Sequence, residues 1–242
     1  MKVFLQKHQG EFANINLQTA YLGFRERGYD TRFFEFAELD SLALDQESIV
    51  VGGIPVVLSA MRRLSIEPLP LFPIPDELCA FAKRRIWTST IGEVRGSFLE
   101  GERLFIKPLP LDRKLFNGQP LTSFRDLLLT SSLPMEYPIL CSDLVNFRSE
   151  YRVFVIDREI IGMRFYHGDF RLFPDFKIIE AAVADYHSAP SAYGIDFGVT
   201  AAGETILVEV NDSYALGCYG LSPALYSALI ERRWNELLPA YR

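Results

Sequence analysis

Apolar and polar positions recur with two different periods along the chain, and the change of period divides it. Over the first 85 residues, short apolar runs are separated by helical spacing. Val3-Phe4-Leu5 is a strand-like run. From Asn14 to Arg27, apolar side chains at Ile15, Leu17, Leu22 and Phe24 mark a helix face, and Gly28 stands where a helix would stop. Asp30 to Phe36 alternates as a strand does. Ser48 to Val51 is a short apolar run closed by Gly52-Gly53, and Pro55 to Leu64 reads as a helix with proline in its first turn. This alternation of strand and helix predicts a parallel or mixed sheet covered by helices. Pro68, Pro70, Pro73 and Pro75 then interrupt both helix and sheet pairing, so Glu67 to Asp76 reads as a crossing between lobes. A short helix is expected from Asp76 to Lys83.

The remainder, about 86–242, changes to period two. Strands are expected at Arg85–Thr88, Leu104–Lys107, Ile139–Cys141, Glu150–Ile156, Glu159–Tyr166, Ala192–Thr200 and Thr205–Val210, with an amphipathic helix at Pro223–Leu238. Asp157-Arg158 and Gly203-Glu204 each sit between two such runs, which predicts two hairpins. The fold class expected is α+β, with a strongly antiparallel second half.

Composition narrows the function. The chain has 242 residues, 49% hydrophobic and 23% charged, so it is globular with enough apolar material for a core. A net charge of −6 argues against a protein that coats nucleic acid, since that needs a basic surface. A small anionic ligand remains compatible, because a few local cations hold it. Cys79, Cys141 and Cys218 form no CxxC pair, which argues against a disulfide framework or a cysteine zinc site and for reduced thiols in the cytoplasm. The start, MKVFLQKHQGEF, lacks the apolar core of a signal peptide. No run approaches the roughly 20 apolar residues that span a bilayer. His8, His167 and His187 are scattered and read as surface or core histidines.

Three groups of residues carry candidate chemistry. Lys107 ends the apolar run Phe105-Ile106-Lys107-Pro108, and Arg113, Lys114 and Gly118 follow. This suits an anion such as phosphate, or else it is a strand end with a basic turn. The pattern GxxxxGK[ST] is absent, so it is no P-loop. In the second group, Glu150, Arg152 and Phe154 share one strand face, with Tyr151, Val153 and Val155 packed inward on the other. Arg164 lies on the partner strand, and two arginines converging there would repel unless an anion intervened. The alternative is a solvated face of Glu–Arg pairs. In the third, Asp196 and Glu209 each interrupt an apolar strand, and pairing across the Gly203 turn brings them together. Two buried carboxylates destabilise each other unless a cation or proton intervenes. Asn211 adds an amide oxygen on the face of Glu209. An all-oxygen set suits Mg²⁺ completed by phosphate and water, whereas zinc calls for His or Cys.

Taken in order, FIKP…K..FNG, then PILCSDLVNFRSEYRVFV…IIGMRFY, then AYGIDFGV…ETILVEVNDSYALGCYG resembles the ATP-grasp superfamily. It is closest to the compact bacterial and phage clade named for two arginines and a lysine. The resemblance covers roughly 104–221, about half the chain. It implies an ATP-grasp fold, with the nucleotide between two mainly antiparallel sheets. The implied division is a small N-terminal α/β lobe over 1–85 and an ATP-grasp catalytic region over 86–242. It also implies ATP and Mg²⁺ as cofactors. Lys107 would contact the ATP phosphates and Lys114 would cover them. Cys141, Ser142, Asp143 and Leu144 would offer backbone to adenine, with Glu150 near the ribose or adenine. Arg152 and Arg164 would hold the transferred phosphate, and Asp196, Glu209 and Asn211 the metal. The implied reaction joins a small-molecule or peptide carboxylate to an amine through an acyl-phosphate. A kinase acting on a hydroxyl and a non-catalytic nucleotide-binding protein are the alternatives. The chain departs from the family in having Gly118 alone as glycine in the 108–118 loop, and the 1–85 segment carries no assignable motif.

Overall fold

A computed structural model describes residues 1–67, 72–99, 101–109 and 116–238. In chain order the elements are β1 (Lys2–Lys7), α1 (Ile15–Glu26), β2 (Asp30–Glu35), β3 (Ser48–Val51), α2 (Ile54–Arg63), α3 (Cys79–Ala82), β4 (Ile86–Thr90), α4 (Ile91–Ser97), β5 (Leu104–Pro108), β6 (Gln119–Leu121), β7 (Pro138–Asp143), β8 (Phe147–Ile156), β9 (Glu159–Gly168), α5 (Phe176–Asp185), β10 (Ala192–Thr200), β11 (Thr205–Asp212) and α6 (Pro223–Leu237).

Local chemistry accounts for the main boundaries. The Asn14 side-chain oxygen accepts from the Leu17 N–H at 3.2 Å and caps α1. The chain leaves that helix through Gly28 at φ +82°. The β8–β9 hairpin turns at Asp157 and Arg158, with φ of 47° and 70°, a pair that matches the strand twist. Two helices stand where the sequence reading assigned none. Thr90 and Glu93 form a reciprocal capping box at the start of α4. The Asp175 carboxylate accepts from the Lys177 N–H at 3.0 Å and starts α5. Both caps are visible in the sequence. They are easily passed over because the helices are short and the flanking runs are rich in strand formers.

The chain forms two compact units, Met1–Ala82 with Phe147–Arg242, and Lys83–Asn146. In the first unit, β2-β1-β3 is a parallel sheet and β11-β10-β8-β9 is antiparallel. Helix α6 ties its two segments together. Trp234 is fully buried, and its indole N–H donates to the Ser48 carbonyl at 2.8 Å. Gly23 of α1 lets α6 come close, since a Cβ there would lie 1.9 Å from the Pro223 carbonyl oxygen. One apolar core runs from Val3, Leu5 and Val50 through Phe24 and Met61 to Phe154, Leu229 and Trp234. The second unit is an antiparallel sheet, β4-β7-β5-β6, over a smaller core of Ile91, Leu104, Ile106, Ile139 and Cys141. No helix among the described residues is long and apolar enough to cross a membrane.

Candidate active site

One cross-strand row of the antiparallel sheet carries four charges. Glu209 on β11 faces Asp196 on β10, which faces Arg152 on β8, which faces Arg164 on β9. The row depends on a bulge. From the turn, Val199 pairs with Thr205, Gly198 with Ile206 and Phe197 with Leu207, but Asp196 pairs with Glu209, so Val208 is the extra residue. Without it, Asp196 would face Val208, and Glu209 would fall on the opposite face of the sheet.

Asp196 is 1% exposed and Arg152 is 7% exposed. The Arg152 Nε–H donates to Asp196 Oδ1 at 2.8 Å and its Nη2–H to Oδ2 at 2.6 Å, a bidentate charge-assisted pair. Gly194 makes room for this: a Cβ there would lie 2.6 Å from Leu216 Cδ2 and 3.4 Å from Arg152 Cδ. Burial, against the opposing pull of the Arg152 guanidinium, holds the Asp196 carboxyl up at about 6 overall, and Glu209 and Glu150 add to the rise. For Arg152, burial works against the charge, but the hydrogen bonds and charge of Asp196 outweigh it and raise the guanidinium further. Arg164 stands opposite Arg152 but turns away. Its Nε–H donates to the Gly220 carbonyl at 3.0 Å and its Nη1–H to that of Met163 at 2.8 Å. The counter-charge that the paired arginines call for is thus Asp196, on the neighbouring strand.

Glu150 lies on the same face of β8 as Arg152. Its Oε2 accepts from the Tyr166 hydroxyl at 2.9 Å. Burial, then the Asp196 and Glu150 charges, hold that phenol well above its ordinary range, so it stays a donor. Phe154, the third residue of this face, is fully buried in the core, so the face is closed at that end. Beyond Asn211, Asp212 ties β11 to α6. Arg233 Nη2–H donates to Asp212 Oδ2 at 2.7 Å and Nη1–H to Glu236 Oε2 at 2.7 Å, which fixes the strand that carries Glu209.

Glu209, Asp196 and Asn211 pass a chemical test for a hard cation. The Asn211 Nδ2–H donates to Glu209 Oε1 at 3.0 Å and to Asp196 Oδ2 at 3.4 Å, so the positive end of a dipole already lies between two carboxylates. Half a turn of the amide presents oxygen instead, giving three oxygen donors. Among the described residues no cluster of three His, Cys, Asp or Glu side chains is arranged to hold a metal, so the amide is needed to complete this set.

In the second unit, Lys107 is half-buried on β5 opposite Leu140. It shares a face with Phe105, and Gly118 lies against both, with a Cβ there 2.7 Å from the Phe105 ring and 3.4 Å from Lys107 Cβ. Lys114 lies outside the described residues. Cys141 and Ser142, expected to offer backbone to adenine, lie on the central strand β7, paired with β4 on one side and β5 on the other. The Cys141 side chain is buried in the core, and burial raises its thiol to about 11, with the Glu93 charge adding to the rise. The Asp143 N–H donates to Arg85 O at 3.1 Å, its carboxylate accepts from Arg85, and the Leu144 N–H donates to Arg103 O at 3.4 Å.

Sequence reasoning passed over Tyr166 and Tyr219, whose rings stack at 4.9 Å centroid separation and 18°. The Arg152 guanidinium lies 4.9 Å from the Tyr219 ring centre. The signal for Tyr219 was its place before a glycine in Cys218-Tyr219-Gly220, which marks a turn carrying a bulky side chain.

Comparison with known proteins bears on this arrangement. A sequence description of the ATP-grasp domain, R2K clade family 2, matches residues 81–229, well over half the chain. No curated protein matches. Similar solved structures include the D-cycloserine synthetase DcsG, with a TM-score of 0.62, 11% identity, and coverage of 97% of this chain and 100% of that one. D-alanine–D-alanine ligase from Bacillus anthracis has a TM-score of 0.57 and 10% identity, covering 100% and 99%. A RimK domain ATP-grasp protein from Sphaerobacter thermophilus has a TM-score of 0.53 and 13% identity, covering 97% and 97%. At these identities the likeness establishes a shared fold.

Proposed function

This chain belongs to the R2K clade of ATP-grasp domains, family 2, and we propose that it is an ATP-dependent carboxylate–amine ligase that uses Mg²⁺. The observation that carries the reading is the row Glu209–Asp196–Arg152–Arg164, which places two carboxylates beside two guanidinium groups on adjacent strands. Proteins of the same fold support it: D-alanine–D-alanine ligase from Bacillus anthracis has been solved with ATP, and the ATP-grasp ligase PsnB with a phosphomimetic precursor variant, Mg and ADP.

In this reading a substrate carboxylate oxygen bonds to the γ-phosphorus as the bond to the β,γ-bridging oxygen breaks, and ADP leaves. The amine then attacks the acyl carbon, and inorganic phosphate departs with the former carboxylate oxygen. Glu209 and Asn211, with Asp196 behind them, hold Mg²⁺, which neutralises charge on the phosphates. Arg164, held by its two carbonyl partners, engages the moving phosphoryl group through its remaining guanidinium N–H groups, and Arg152 stays on Asp196 and supplies positive charge beside it. Glu150, held by Tyr166, faces the ribose or adenine. Lys107 contacts the phosphates and Lys114 covers them. The adenine contact falls to the segment Cys141–Leu144, whose backbone carbonyl oxygens can each accept a second hydrogen bond. The N-terminal segment 1–85 contributes to the acceptor site, and the enzyme works in the cytoplasm.

The test is isotopic. Carboxylates labelled with ¹⁸O, offered as amino-acid and peptide pools with ATP, Mg²⁺ and amines, should yield phosphate carrying ¹⁸O. A phosphorylated hydroxyl product with no labelled phosphate would instead identify a kinase and reject the ligase reading.

A further inference from the structure

We infer that the turn Cys218–Leu221 is the device that positions both arginines, and that Tyr219 is the positioning residue for Arg152. The inference rests on the ATP-grasp ligase reading of the charged row. The turn is closed by the Leu221 N–H donating to the Cys218 carbonyl at 2.8 Å. Its two central residues, Tyr219 and Gly220, have φ of 42° and 84°. Two successive left-handed residues define a type I′ turn, whose first position favours Asn, Asp or Gly. A bulky aromatic there works against local preference, and such outliers persist where the surroundings hold them for a purpose.

The surroundings do hold it. The Cys218 N–H donates to Asn16 Oδ1 at 2.9 Å, and the Tyr226 hydroxyl bonds the Leu216 carbonyl, so α1 and α6 fix the segment from two sides. What the turn then offers is directed at the arginines. The Tyr219 ring lies on Tyr166 and beside the Arg152 guanidinium, where its π-face attracts the cation and keeps water from one side of it. The next residue, Gly220, gives its carbonyl to Arg164. Tyr219 is 45% exposed, so the ring is no core filler. Its contacts, rather than its burial, explain its place. Phosphoryl transfer punishes sub-ångström misplacement of the groups that hold the phosphate, and both arginines are set by consecutive residues of one turn.

The test uses the whole chain and two substitutions. Tyr219→Asn suits the turn better than tyrosine does but removes the ring, whereas Tyr219→Phe keeps the ring. Phosphate release from ATP and Mg²⁺ should fall by about 100-fold in Tyr219→Asn and return to within a few-fold of wild type in Tyr219→Phe. The thermal midpoint of Tyr219→Asn should be unchanged or raised. In ¹⁵N-arginine spectra the Arg152 Nε–H, identified with Arg152→Lys, should exchange with water at least about tenfold faster in Tyr219→Asn than in the other two proteins. That reading needs no turnover, so it decides the inference even where ATP is not used. Wild-type exchange in Tyr219→Asn overturns it, as does a midpoint that drops in step with activity. A failure of Mg²⁺ and ATP to stabilise the wild-type protein counts instead against the ligase reading.

Discussion

Glu209→Gln lowers Mg²⁺–ATP turnover by about a thousandfold, equivalent to about 4 kcal/mol, while leaving the fold intact. Gln is nearly isosteric with Glu and keeps one oxygen, so the bulged strand and the Asn211 contact survive. The carboxylate charge that pairs with the metal is lost. In the metal-free protein the same change removes a like charge from beside Asp196, since Glu209 is one of the groups that push the Asp196 carboxyl up. The thermal midpoint without metal is therefore unchanged or higher. Opposite signs, with stability kept and turnover lost, separate a metal-binding carboxylate from a structural one. Steady-state ADP release with a melting curve on the same sample reads both. Turnover within a few-fold of wild type contradicts the metal role.

The second large effect falls on stability. Arg152→Leu leaves Asp196 buried at 1% exposure with its two best hydrogen-bond donors gone. Removing one partner of a buried ion pair costs about 3–5 kcal/mol, which for a chain of this size lowers the midpoint by roughly 6–20 °C. Replacing both partners, Arg152→Leu with Asp196→Leu, restores most of that loss, because the desolvation penalty of the lone carboxylate goes with it. The double variant stays inactive. Melting curves of the wild type, the two single variants and the double form a complete cycle. Additive losses in the double variant would mean that the two side chains are not energetically coupled.

How much of this was legible in the sequence differs from element to element. The hairpin around Asp157-Arg158 was plain, because β-branched and aromatic residues run on both sides of a polar turn. The α1 helix was equally plain, bounded by Asn14 and Gly28. Asp196 and Glu209 stood out as carboxylates inside apolar strands, and their neighbourhood follows from one hairpin. The Val208 bulge that puts them on one face was not legible, since period two alone pairs Asp196 with Val208. The Arg152–Asp196 pair was missed for a related reason. Strand order β11-β10-β8-β9 makes β8 and β10 neighbours although β9, α5 and the connecting loops separate them in sequence. The central place of β7, which carries Cys141 and Ser142, likewise comes from long-range pairing with β4 and β5. Tyr219 was only faintly legible, because its role depends on a left-handed turn that the following Gly220 hints at and a tyrosine does not announce.

The central claim, that this chain binds ATP through a cation held at Glu209, Asn211 and Asp196, is tested most directly by thermal denaturation with ATP and Mg²⁺ together and with each alone. At a ligand concentration near 100 times Kd, linkage raises stability by about 2.7 kcal/mol, which is roughly 5–11 °C here. The account predicts that rise only when ATP and Mg²⁺ are both present, and its loss in Glu209→Gln. No rise with both, or an equal rise when ATP is added with a chelator, contradicts it.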